Sequence, residues 1–294
     1  WHRLHIFSTY VVAGVFFVSI SSRTGIGSVP RPSVPVPNFA SFLFLKDNLP
    51  KDSVFYTWWD YGYPLIEITE RATFHDGGSQ FTPKTFFIAR SILSERQSEL
   101  HNIISYLTSK GTNGIFQLIE SKTAYEEILF NIETISNALE HQNIYVLFSN
   151  DIIAKYQSIN TIGYEDAGQQ KLGPRNGYRE LNCNWYQDKQ LFCKEGTIDL
   201  EKGITHEGKP LRETIIVGDG YIQHRIFYPR TQGQYLQILS NQSELLGVQL
   251  IDEEVYRSNF NQMFLLGQFD DNLFEQYYNA FPWTRVFRVK PTPK

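Results

Sequence analysis

Four prolines in alternation, Pro30, Pro32, Pro35 and Pro37, constrain this chain more than any other local feature. Each fixes φ near about −65° and removes a backbone donor. Residues 28–38 are therefore predicted to form a stiff, extended, polyproline-like strap. The chain differs on its two sides. Leu4 to Ser21 holds no formally charged residue, and its eighteen residues fall within the length of a membrane-spanning helix, roughly 17–25. The stretch ends at SSRTGIG, where the glycines and Arg23 stop it, and His2, Arg3 and His5 flank its other end. Each flank offers one Arg, so the charge asymmetry that orients a span is weak. Two alternatives compete: a signal peptide wants a shorter apolar run and an A-x-A-like cleavage site, and a buried core helix wants a polar face. The organisation carried forward is a transmembrane helix at 1–24, a Pro-rich linker at 25–38 and a globular body on one side. The chain opens at Trp1 rather than Met, which reads as a piece of something longer or a processed form.

The body is rich enough in hydrophobic residues, 41% against 20% charged, to build a real core. Net charge is −4 and no long basic run occurs, which argues against a nucleic-acid partner. Helix-period apolar spacing predicts helices over 39–49, 83–93, 95–110 and 122–139, and short apolar runs predict strands at 53–56, 65–69 and 144–148. From about Leu181 the texture changes to short β-like runs separated by turn signals. Gly218-Asp219-Gly220 reads as a hairpin turn between two of them. Ser258 to Ala280 reads as a return to helix, and TRVFRVK as a closing strand. The fold class is α+β: a mixed α/β core over 39–160, completed by 251–294, with an inserted antiparallel β-unit over 161–250.

Trp58-Trp59-Asp60-Tyr61-Gly62 is the sharpest string in the chain. A loop at a strand end with two indole N–H donors, a carboxylate acceptor and a Gly for the turn can surround one small hydroxyl group. Ring surface packs any methyl beside it, so the pocket suits Ser or Thr. Aromatic clusters are also ordinary packing, and WWD as plain core stands as the alternative. No HExxH, zinc-ligand spacing or phosphate loop occurs. His75-Asp76 is a lone pair, better read as a hydrogen-bonded His than as a metal site. Glu253-Glu254 reads as a solvated face. Cys183 and Cys193 bracket NWYQDKQLF; a turn at residues 187–189 sets them opposite each other, within reach of a disulfide that needs an oxidising compartment. Two free, half-buried thiols are the other possibility.

WWDYG, placed one linker after an apolar helix, resembles the signature of the oligosaccharyltransferase catalytic subunit family. Three further places resemble its bacterial, PglB-type members: Gly62-Tyr63-Pro64, Asp76-Gly77-Gly78, and a tail of NQMFLLG at 261–267, DNLF at 271–274 and VFRV at 286–289. The resemblance implies the C-terminal, periplasm-facing part of an inner-membrane, monomeric glycosyltransferase. Such an enzyme moves an oligosaccharide from a polyprenyl-diphosphate carrier to Asn in Asn-X-Ser/Thr. It implies that Trp58, Trp59, Asp60, Tyr61 and Gly62 bind the acceptor, the first three at its +2 Ser/Thr. It also implies a second acceptor-contacting motif on a helix. There Ile152 and Ile159 fit as aliphatics, whereas Lys155 resembles the Lys of the archaeal and eukaryotic version, whose Asp would fall at 152, one residue beyond Asp151. Tyr63 matches a position facing the lipid-linked sugar, and Gln80 sits where bacterial relatives can carry His. The family's divalent metal, Mg or Mn, would be held by acidic residues of a preceding membrane domain. This chain alone is therefore expected to hold no metal ligand or catalytic group and to be inactive. The rival reading is a membrane-anchored extracytoplasmic binding or structural module.

Overall fold

The structure, a computed structural model, describes residues 33–120, 125–134, 143–164, 176–187, 189–241 and 244–291. The expected span at 1–24 lies outside them, and among the described residues no helix is long and apolar enough to cross a membrane. The first described helix, α1 (Val36–Asn48), already contains Pro37. Most of the expected strap, residues 28–32, lies outside the described residues, and from Val36 the chain is helical rather than extended, because Pro is tolerated in the first helical turn, where its missing N–H has no partner to lose.

A five-stranded mixed sheet forms the first layer, in the order β12-β13-β3-β1-β2. Here β1 is Val54–Tyr56, β2 Ala72–Thr73, β3 Ile144–Ser149, β12 Phe274–Ala280 and β13 Thr284–Val289. The strands β1, β2 and β3 run parallel, with Val54 opposite both Ala72 and Ile144, and β13 returns antiparallel to β3. The C-terminal segment thus completes the sheet begun by the N-terminal one. Phe274–Ala280 is a strand rather than the expected helix, because its backbone pairs along β13; tertiary pairing overrides a weak local preference. Leu65–Thr69 is likewise not a strand but part of α2 (Gly62–Thr69), which buries Gly62, Leu65 and Thr69 on one face.

Three helices pack on this sheet: α3 (Lys84–Leu93), α4 (Gln97–Glu120) and α6 (Asp151–Gly163); α5 (Tyr125–Thr134) lies between α4 and β3 in sequence. α4 breaks at Gly111, whose φ of 62° departs from the helix, so its first half ends where the apolar period ends, at Lys110. Arg71, buried, donates to the carbonyls of Lys46, Leu49, Pro50 and Thr69 and so caps the C-terminal ends of α1 and α2.

The β-rich stretch forms a second five-stranded sheet, β4-β11-β10-β8-β9. Its strands are β4 (Arg179–Leu181), β8 (Leu211–Gly218), β9 (Tyr221–Phe227), β10 (Gln234–Asn241) and β11 (Glu244–Ile251). The β8–β9 hairpin turns at Asp219 and Gly220, both with positive φ of 53° and 81°, as the Gly-Asp-Gly reading predicts. The sheet is not wholly antiparallel, since β10 runs parallel to β8. One face shares the main core: Ile215, Val217, Tyr235 and Leu239 cluster with Phe87, Ile92 and Phe264. The other face, through Leu211, Leu236 and Ile238, packs on Leu191 and Ile198 of a three-stranded sheet formed by β5 (Cys183–Gln187), β6 (Gln190–Cys193) and β7 (Gly196–Asp199). Cys183 stands opposite Cys193 in the β5–β6 hairpin, and the two sulfurs are bonded.

The tail string NQMFLLG is structural. A π-helix, Phe260–Leu265, buries Phe260, Met263, Phe264 and Leu265. Asn261 accepts from Tyr178 and Gln237, each at 3.0 Å, and donates to the Tyr256 carbonyl at 2.9 Å. Arg285, wholly buried on β13, donates to the carbonyls of Met263, Phe264 and Gly220. It ties the π-helix to the β8–β9 turn, and the resulting desolvation pulls its pKa down to about 10.

Candidate functional site

Three loops leave the C-terminal ends of the adjacent parallel strands β1, β2 and β3, where ligands bind in open α/β sheets. The first holds Trp58 and a 3₁₀ turn, Trp59–Tyr61, before α2 begins at Gly62. The second runs from Phe74 through Asp76-Gly77-Gly78, and Phe74 N–H is held by the Phe55 carbonyl at 2.9 Å. The third is Asn150 and the first turns of α6. Gly62 is required where the first two loops meet: a Cβ there would collide with the His75 carbonyl and the Asp76 backbone. Gly77 and Gly78 are small for a related reason, because the Tyr63 ring lies over them; a Cβ on Gly78 would stand 2.7 Å from its hydroxyl.

The WWD string is split by this geometry. Trp58 is 5% exposed, belongs to the main core and meets the His75 ring edge-to-face at 5.8 Å. Trp59 and Asp60 are half-buried at the rim, and Tyr61 is buried. The carboxylate of Asp60 faces the Lys155 ammonium at 3.1 Å, and Lys155 in turn contacts Asp151, one helical turn earlier, at 2.5 Å. Ser149, the last residue of β3, donates its hydroxyl to Asp151. Burial works against the charge of Lys155, but the hydrogen bond and charge of Asp151, then those of Asp60, outweigh it and leave its pKa above the ordinary lysine value. The Lys155 ammonium also lies 5.8 Å from the centre of the Tyr61 ring. Burial chiefly, then Asp151 and Asp60, raises the Tyr61 phenol above its ordinary range.

Of the helix residues expected beside the acceptor, only Lys155 reaches this rim. Ile152 and Ile159 are 1% and 0% exposed and line the core with Tyr156. They are four and three residues from Tyr156, so helical period puts them on the buried stripe and puts Asp151 and Lys155 on another. Neither isoleucine presents surface to a peptide. Asp151 is the residue that motif matching set aside as misplaced by one; its signal was the i,i+4 spacing to Lys155. Tyr63 is 57% exposed and Gln80 half-buried, both flanking the Asp76-Gly77-Gly78 loop.

His75 is fully buried under this loop. Its Nδ1 lies 3.0 Å from the Ser79 hydroxyl. Burial first, then the nearby Lys84 ammonium, lowers its pKa to about 3 against the opposing pull of Asp76, so the ring is neutral near pH 7. Among the described residues no group of three or more His, Cys, Asp or Glu side chains could hold a metal. The carboxylates of Asp60 and Asp151 share an ammonium, which already occupies the place and supplies the charge of a cation. The resemblance assigns the divalent metal to a preceding membrane domain, not to this ion-paired rim.

Residues 51–163, which contain all three loops and both carboxylates, match the family model of the STT3/PglB/AglB core domain. The similarity extends beyond that domain. Over 97% of the chain it is 21% identical to an undecaprenyl-diphosphooligosaccharide–protein glycotransferase of Campylobacter jejuni, of whose length it spans 42%. A stretch covering 28% of the chain is 33% identical to a dolichyl-phosphooligosaccharide-protein glycotransferase of Methanococcus voltae, of which it spans 9%. The chain thus spans less than half the length of either relative. In fold it is similar to the C-terminal domain of C. jejuni PglB, with a TM-score of 0.66 and 18% identity over 86% of this chain and all of that one.

Proposed function

We propose that this chain is the C-terminal, periplasmic part of an oligosaccharyltransferase, and that the rim of its core domain binds the +2 Ser/Thr of an Asn-X-Ser/Thr acceptor. The observation that carries the reading is the half-buried Asp60 carboxylate, held 3.1 Å from Lys155 at the C-terminal ends of the parallel strands. A Ser or Thr hydroxyl donates to Asp60 and accepts from the Trp59 indole N–H. Lys155, pinned by Asp151, fixes the carboxylate so that little order is lost when the hydroxyl arrives. An acceptor without the hydroxyl leaves these polar groups unpaired, which is how a site of this kind rejects it. Positioning the acceptor is a proximity effect. The chemistry of transfer, from a polyprenyl-diphosphate-linked oligosaccharide to the Asn amide, is assigned to a preceding membrane domain with its own divalent metal. The names of the relatives support the reaction class, and the Cys183–Cys193 disulfide fits an oxidising compartment.

The test is transfer by the full-length enzyme to peptides containing Asn-X-Thr, Asn-X-Ser and Asn-X-Ala. Asp60→Ala lowers transfer to the Thr peptide by at least about a hundredfold, with the fold retained. Transfer by that variant within a few-fold of the parent would refute the role. Residues 1–294 alone are expected to give no transfer. A structural role for the whole string, suggested by buried Trp58, leaves the half-exposure of Trp59 and Asp60 unexplained.

A further inference from the structure

A cleft of about 590 Å³ opens on the second sheet, against α7 (Glu253–Arg257) and the loop before α4. Its volume is that of a small-molecule site, about 300–1,000 Å³. All twelve lining side chains are charged, carboxamide or aromatic, so nothing aliphatic is offered to the apolar side chains of a peptide. The floor is held in place. Arg225 donates to Glu213 at 2.8 Å, to the Tyr256 hydroxyl at 3.0 Å and to Gln268 at 3.3 Å. Tyr256 stacks on Tyr235 with centroids 3.9 Å apart and planes 7° apart, and Arg212 caps the Tyr235 ring at 5.7 Å. The rim carries two groups of another kind. Phe227, ending the edge strand β9, is 69% exposed. Arg230 is steered by the carbonyls of Gly203 at 2.6 Å and Lys202 at 3.0 Å.

We propose that this cleft binds a short, carboxylate-bearing oligosaccharide. Planar side chains with paired donors and acceptors match the adjacent hydroxyls of a sugar ring, and an exposed aromatic face takes its C–H side. Of the four lining arginines, Arg225 pairs with Glu213, Arg212 with Glu253 and Arg257 with Glu95 and Glu253, whereas Arg230 bonds only the neutral Gly203 and Lys202 carbonyls among the described residues and so brings an uncompensated charge that favours an anion. A guanidinium fixed by two backbone carbonyls presents its remaining N–H groups to a carboxylate as a fork. Glu95 and Glu213 in the same lining repel a densely charged polyphosphate. The inference does not depend on the acceptor site.

The experiment titrates the full chain in detergent with a hyaluronan tetrasaccharide, in which glucuronate alternates with N-acetylglucosamine. Chitotetraose and a heptaglutamate peptide serve as competitors. The tetrasaccharide binds, Phe227→Ala and Arg230→Gln each weaken it by at least about tenfold, and Trp59→Ala leaves it unchanged. Absence of binding, binding indifferent to both rim substitutions, or equal displacement by the glutamate peptide overturns the proposal. Chitotetraose binding as tightly as the acidic sugar overturns the carboxylate requirement.

Discussion

At the rim of the first sheet one ammonium sits between two carboxylates, Asp60 and Asp151; in the cleft on the second sheet three arginines are matched by glutamates and a fourth, Arg230, bonds backbone carbonyls. The first arrangement has acceptors to spare and suits a donating hydroxyl. The second has its spare donors on Arg230 and suits an anion. The supports differ too. The rim rests on loops leaving parallel strands, where helix starts and close glycine contacts fix the backbone. The cleft is fixed by side chains: a stacked Tyr pair, a cation over its face and an arginine with three partners. A polar site can therefore be made rigid from the backbone or from its own lining. The two should respond differently to substitution.

The largest effect is expected where the rim enters the core. Trp58→Ala costs about 3–5 kcal/mol in denaturant unfolding, because a buried indole leaves a cavity. Trp59→Ala, at the half-buried rim, costs about 1 kcal/mol. Equal losses would erase the distinction between the neighbours.

Acid comes next. The folded His75 pKa is lowered to about 3, so the unfolded chain binds the extra proton between there and the ordinary value of about 6.5. Its stabilising contribution is full above about pH 6.5 and is lost as pH falls toward 3. From pH 7 to pH 4 it amounts to a loss on the order of 3 kcal/mol. Thermal melts across that window should slope steeply for the parent and less for His75→Asn, which can keep the Ser79 contact. Parallel slopes would remove His75 as the cause.

Asp60→Ala follows, with its hundredfold loss of transfer in the full-length enzyme and little change in melting. Lys155→Met is smaller. It frees Asp60 without removing it, so transfer is expected to fall about tenfold, mainly through acceptor KM. Stability should move by less than about 1 kcal/mol, since a partly exposed ion pair contributes little. A loss as large as that of Asp60→Ala would give Lys155 a direct contact with the acceptor.

Much of the molecule was legible from local pattern. The Gly218-Asp219-Gly220 turn, the facing cysteines and the helix ending before Gly111 follow from turn chemistry and apolar period, which act over a few residues. The same period separates Ile152, Tyr156 and Ile159 from Asp151 and Lys155, although family matching placed the isoleucines beside the peptide. What misled was context. Leu65–Thr69 has β-branched residues but closes as helix because Leu65 and Thr69 bury together. Phe274–Ala280 becomes strand because β13 lies alongside.

The sequence by itself determined which groups could hold a hydroxyl: WWD after a short strand, with a Gly to turn on. Only the tertiary structure decided which of them remain available. The parallel register that sets Val54 beside Ala72 and Ile144 gathers three loops from distant parts of the chain at one rim. It sends Trp58 inward, leaves Trp59 and Asp60 at the surface and brings Lys155 to the carboxylate. Pairing between distant strands is a non-local choice, made by the burial of the whole core, and no local spacing encodes it.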